Sequence, residues 1–247
     1  MTQPEGDFWN YLRARTPARI ALGRTGDSLP TRRVLEFELA HASARDAVWA
    51  LLDSSALLSE LSAWHPIAVR SRAADRLNFL QRPDLGRLLS DESVEALAFG
   101  SFDAVIVIAD GLSARAVQSQ AVPLCRLLIS AAPDVSFAPP AVALQARVAL
   151  GDEIAKRQGA ETVIVLIGER PGLSASDSMG AYITFDPRPG ETRDSDRNCV
   201  SNIRPGGLSL AEAARRILAI LKFARAIRRT GTLLKEDEAL AALPPPL

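Results

Sequence analysis

The chain has 247 residues, enough to bury a sizeable core in one large domain or in a domain with an arm. Lys plus Arg and Asp plus Glu each number 29, so the net charge is zero and the basic excess of a nucleic-acid binder is missing. No run approaches the ~18 apolar residues of a membrane span, and the first residues lack the apolar core of a signal peptide.

Residues 6–15 read as a short helix around Phe8, Trp9 and Leu12. Gly23, Gly26, Asp27 and Pro30 then mark a loop, made basic by Arg19, Arg24, Arg32 and Arg33. The spacing of Val34, Phe37, Leu39, Val48 and Leu51 predicts a helix from Thr31 to Leu52. A second arginine-rich loop, SRAADRLNFLQRPDLGRLLS, carries Arg72, Arg76, Arg82 and Arg87. Asp91 opens a helix to about Leu97.

From about residue 100 the texture changes. DAVIVIADGLSARAV (103–117) is a β–loop–α unit, with Ser113 as N-cap of a helix to about Ser130. Short strands are predicted near 135–137 and in ARVAL, then a helix over 150–158 closed by Gly159. TVIVLIG (162–168) is a second long buried strand, and GAYITF (180–185) and NCVSN (198–202) are shorter ones, the last at an edge. Ser209 to Glu212 has the capping-box pattern ahead of a helix to about Arg229. Leu210, Ala214, Ile217, Leu221 and Ala224 form its buried stripe, and Arg215, Arg216, Lys222, Arg225 and Arg228 face water. The tail ALPPPL reads as disordered or semi-extended.

Continuous apolar strands alternating with helices imply an α/β fold. The expected architecture is a doubly wound, mostly parallel sheet of the Rossmann or flavodoxin kind over 100–247, behind a helical and loop-rich arm over 1–99.

Ligands of such sheets bind outside the carboxyl ends of the strands. Two such ends stand out, Ala109 to Ser113 and Gly168 to Gly172. Glu169 reads either as a solvated carboxylate beside Arg170 or as an acceptor for a ligand's amide or hydroxyl. Arg170 is held extended by Pro171, so the loop is stiff and pre-organised. Ser174, Ser176 and Ser178 read as turn caps. Asp110 reads as a carboxylate facing a helix N-terminus, and Cys199 as a small buried hydrophobe. The two cysteines have no metal or disulfide spacing, which fits a reducing cytosol. His41 and His65 are the only histidines. Dinucleotide, Walker, nucleophile-elbow and zinc-protease signatures are all missing. The chain reads as part of a site.

Five segments carry a family likeness: RARTPARIALGRTGDSLPTR, DRLNFLQRPDLGRLL, DGLSARAV, ARVALGDEIA and VIVLIGERPGLSASDSMGAYITFDPRPGETRDSDRNCVSNIRPGG. Together they resemble the small (light) subunit of ethanolamine ammonia-lyase, from about Arg13 to the final long helix. The resemblance implies an adenosylcobalamin-dependent radical lyase that converts ethanolamine to acetaldehyde and ammonia. It implies a large TIM-barrel subunit carrying the radical chemistry, with this chain closing over the cobalamin from the other side. It further implies a hexamer of large–small heterodimers. Matched motif by motif, the cobalamin contacts fall on Val148, Glu169 and Cys199. The Asp-x-His-x-x-Gly motif that replaces cobalt's lower ligand is missing, so base-on cofactor is implied. Localisation is implied to be the cytoplasm or a bacterial microcompartment. Some members carry a longer N-terminal extension associated with microcompartment targeting; here the first helix begins almost at once.

Two other classes stay open on the residues alone. One is a stand-alone flavodoxin-like module binding a small molecule or nucleotide. The other is an autonomous lyase or hydrolase built on Asp110, Glu169 and Cys199. A subunit that needs a partner predicts an exposed apolar face rimmed by charge. It also predicts that the arginine loops at 13–33 and 70–87 meet the large subunit.

Overall fold

The computed structural model describes residues 5–16, 18–235 and 239; the ALPPPL tail lies outside them. The chain opens with α1 (Glu5–Arg13) and α2 (Thr31–Trp49). Then come α3 (Ser54–Glu60), β1 (Ile67–Arg70), α4 (Arg76–Gln81) and α5 (Asp91–Ala96). The rest is β2 (Phe102–Ala109), α6 (Ala114–Ser130), β3 (Ala141–Leu144), α7 (Leu150–Gln158), β4 (Ala160–Gly168), β5 (Met179–Phe185), β6 (Asn198–Ile203) and α8 (Leu210–Ile227). The six strands form one sheet in the order β1-β3-β2-β4-β5-β6.

The first four sheet positions are parallel, and β5 and β6 each run antiparallel to the strand before. The α/β expectation therefore holds, with a mixed sheet. Along β2 and β4 alternate residues enter opposite cores. Ile106, Ile108, Ile164 and Leu166 pack with α6 and α8 on one face. Val105, Val107, Val163 and Val165 pack with α7 on the other.

Side chains set the helix ends. Ser113 caps α6 and Ser209 caps α8, each accepting the backbone N–H three residues on. Gly159 ends α7 in the left-handed conformation that glycine adopts freely. The capping box at α8 is half made: the Glu212 carboxylate takes Arg215 and Arg216.

Several elements differ from the sequence reading, among them α4, which lies in a segment read as a loop. The strand expected in ARVAL lies earlier, at β3, because Gln145 takes a positive φ and turns the chain toward α7. Phe137 makes a single bridge to Ala104 where a short strand was expected. α2 stops at Trp49, where Ala50 becomes extended. The segment IAVR, to which the sequence reading assigns no element, is β1, held by parallel pairing with β3.

Candidate functional site

The two strand ends singled out in the sequence have different fates. At the end of β2, Asp110 is buried, and its carboxylate accepts the N–H groups of Gly111, Gln145 and Ala146, each at 2.9 Å. Buried Arg76 stands 3.6 Å away and donates to the carbonyls of Gly111 and Val48. Burial pushes the Asp110 carboxyl up, against the pull of those N–H groups and Arg76. Asp110 thus ties β2 to the turn after β3 rather than facing a helix dipole. Arg76 is a core residue, not one of the surface arginines its loop suggested.

Across from it, Gly111 and Gly168 interlock. A side chain at Gly111 would meet the Gly168 carbonyl at 2.4 Å, and its φ of +55° suits glycine. The crevice between these strand ends is filled by the protein itself.

At the end of β4, Glu169 behaves otherwise. Its N–H pairs with the Ser178 carbonyl. Its Oε2 accepts from Ser178 Oγ at 2.5 Å and from the Asn202 N–H at 3.3 Å. Among the described residues its partners are these, not Arg170. Oε1 takes no hydrogen bond there and lies over Gly180, where a Cβ would approach it to 3.1 Å. The serine-rich turn is pinned from below: Ser113 Oγ donates to the Ser176 carbonyl, and Gln120 to that of Asp177.

Tyr182 draws the predicted residues together. It pairs across the strands with Cys199. Burial first, then Cys199 and its hydrogen bond, then Glu169, push the Tyr182 phenol up to about 12. Tyr182 and Val148 both pack against the α7-side core. Tyr182 thus pairs with Cys199, feels the Glu169 carboxylate and lines one cavity with Val148, and Cys199 is exposed rather than buried.

This face is open for a topological reason. Antiparallel neighbours need no crossover helix. On one side Ala181, Ile183, Val200 and Ile203 lie under α8. The other side of β5 and β6 carries Gly180, buried under Glu169, Tyr182, half-buried against the α7-side core, and the exposed Cys199. A buried ion pair fixes its flank: Arg197 grips Asp152 with two hydrogen bonds of 2.6 Å and Thr184 at 3.0 Å. That pair links α7, just after Val148, to the start of β6, just before Cys199.

Sequence reasoning missed Tyr182, Asp152 and Arg197. The alternation in GAYITF held the signal for Tyr182, since it points away from buried Ala181 and Ile183. Nothing in the sequence pairs Asp152 with Arg197 across 45 residues.

The fold is that of a doubly wound α/β protein whose sheet is extended by two antiparallel strands. A family model for the ethanolamine ammonia-lyase light chain matches residues 6–235, and the chain belongs to that family. Its relatives include ethanolamine ammonia-lyase small subunits of Bradyrhizobium diazoefficiens, 54% identical over 92% of this chain and 90% of the relative, and of Rhodopseudomonas palustris, 51% identical over 98% and 96%. The Rhodococcus erythropolis small subunit is 49% identical over 96% of this chain and 93% of its own length.

Proposed function

We propose that this chain works as the small subunit of an adenosylcobalamin-dependent ethanolamine ammonia-lyase, with the open face of β5 and β6 as its half of the cobalamin site. The observation that carries the reading is Tyr182, which pairs with Cys199, feels the Glu169 carboxylate and lines one cavity with Val148.

The residues fit a corrin, a broad apolar disc rimmed by amides. Glu169 Oε1 is an acceptor with no protein donor among the described residues, aimed where a rim amide can donate. Gly180 and Cys199 leave that face low enough for a flat ring. Val148 adds apolar contact. The base-on form of the cofactor belongs to the same proposal.

When bound, adenosylcobalamin supplies a cobalt–carbon bond that breaks homolytically, and the difficult chemistry is its own. The chain's residues bind and orient. Ser178 and the Asn202 N–H hold the Glu169 carboxylate in place, and the Asp152–Arg197 pair fixes Val148 relative to Cys199. Such pre-organisation lets binding favour the activated state.

The large subunit is assigned to the arm, residues 1–99. α2 buries only Ala47 of its 19 residues and exposes Leu35, Phe37 and Leu39, the last at 71%. Leu35 and Leu39 share one face, with Arg32 and Glu36 of an ion pair beside them, so that face is apolar and rimmed by charge. A cleft of about 400 Å³ lined by Trp49, Pro171 and Leu173 leads from this helix to the Glu169 loop. The arginine loops, the hexamer of heterodimers, and the cytoplasm or a microcompartment as location belong to the same proposal.

The test is a corrinoid titration of the complex co-expressed with a large subunit, read by visible absorbance. Glu169→Ala is expected to weaken cyanocobalamin binding about tenfold, the worth of one hydrogen bond to a charged acceptor. Unchanged affinity would remove the carboxylate from the site.

A further inference from the structure

Val148 and Tyr182 also line a cavity of about 710 Å³ between the 147–149 segment and the 190–197 loop. Its charged lining is uneven. Arg87, Arg147, Arg193 and Arg197 face Glu191 and Asp194. Arg197 is neutralised by Asp152 outside that set. The remaining three arginines against two carboxylates leave one positive charge over, in a chain whose net charge is zero.

Two of these arginines are placed side by side by the backbone. The Arg147 N–H donates to the Gly86 carbonyl at 2.8 Å, next to Arg87. Gly86 allows this approach, since a Cβ there would meet Arg147 Cγ at 2.9 Å. The Arg147 guanidinium lies 4.1 Å over the Phe79 ring, and its Nη2 donates to the Phe79 carbonyl. Its Nε is buried with no acceptor. Arg87 is exposed and has no carboxylate partner among the described residues. Burial, then the neighbouring Arg76 and Arg87 guanidiniums, push Arg147 below its ordinary range. Like charges held together beside an unmatched donor favour an anion.

Cobalamin joins its corrin to dimethylbenzimidazole through one phosphodiester, a single negative charge. We infer that this cavity takes that phosphodiester, with Arg87 and Arg147 on its oxygens and Tyr182 as the wall shared with the corrin face. The inference rests on the cobalamin reading above and adds the part of the cofactor that each arginine recognises.

Cobinamide, which lacks the phosphodiester and the base, separates the two. In the co-expressed complex, cyanocobalamin and cobinamide are titrated by visible absorbance against wild type, Arg87→Gln and Arg147→Gln. Arg87 is a surface side chain, so its variant keeps the fold. Arg87→Gln is expected to weaken cyanocobalamin about tenfold and leave cobinamide unchanged, so the preference between them falls by that factor. Arg147→Gln should do the same, with Arg147→Lys recovering part of the loss. Equal weakening of both corrinoids, or of neither, overturns the inference while leaving the corrin face intact. A wild-type complex that binds neither corrinoid overturns the cobalamin reading itself. Inorganic phosphate forms the second arm. If it protects the complex from thermal unfolding, and Arg87→Gln removes that protection with both corrinoid affinities unchanged, the cavity serves free phosphate and the assignment fails.

Discussion

Glu169 owes its position to a neighbour without a side chain. Gly180 lets the carboxylate lie flat on β5, and Ser178 and Asn202 hold one of its oxygens while the other stays open. The two thiols are as sharply divided. Cys125 is buried in the α6 core, and burial pushes its thiol up to about 12, whereas Cys199 is exposed. Maleimide labelling of the folded complex is therefore expected to modify Cys199 and spare Cys125, by mass spectrometry of tryptic peptides. Cyanocobalamin should protect Cys199; undiminished labelling in its presence would place the corrin elsewhere. At this scale the sequence was partly legible. The strand-end position of Glu169 followed from the β–loop pattern. Tyr182 could be placed on the right face by alternation, but its contact with Cys199 depends on β5–β6 register, which no local signal sets.

Among the elements, α7 and β6 matter most together. The Asp152–Arg197 pair is almost wholly buried, so each charge depends on the other. Asp152→Asn is expected to cost ~3–5 kcal/mol by leaving the guanidinium uncompensated. Denaturant unfolding of the complex, followed by circular dichroism, checks this, and a loss below ~1 kcal/mol would show the pair to be replaceable. The helices of the α/β region were legible nearly to the residue, because Ser113, Gly159 and Ser209 mark their ends by local chemistry. β1 was not. Four residues carry too little pattern, and its strand character comes from pairing with β3 more than 70 residues on. β3 itself was displaced in the reading because nothing in QARVAL advertises the positive φ at Gln145.

For the whole molecule, the contrast is between a well-filled sheet and two N-terminal helices, α1 and α2, that hide little. α2 places Leu35, Phe37 and Leu39 in water, and Phe8 and Trp9 of α1 are exposed as well. A second subunit over this face would remove that apolar surface from water at roughly 25 cal/mol per Å². Replacing Leu35 and Leu39 together by Glu is expected to abolish co-purification with the large subunit while leaving the circular dichroism of the isolated chain unchanged. Retained assembly would move the interface to another face.

The end of β2 has a consequence for what this sheet declines to hold. Backbone amides at such a place commonly greet a phosphate. Here Asp110 plays the anion, built into the polymer and already seated. A nucleotide arriving there would find those amides already taken.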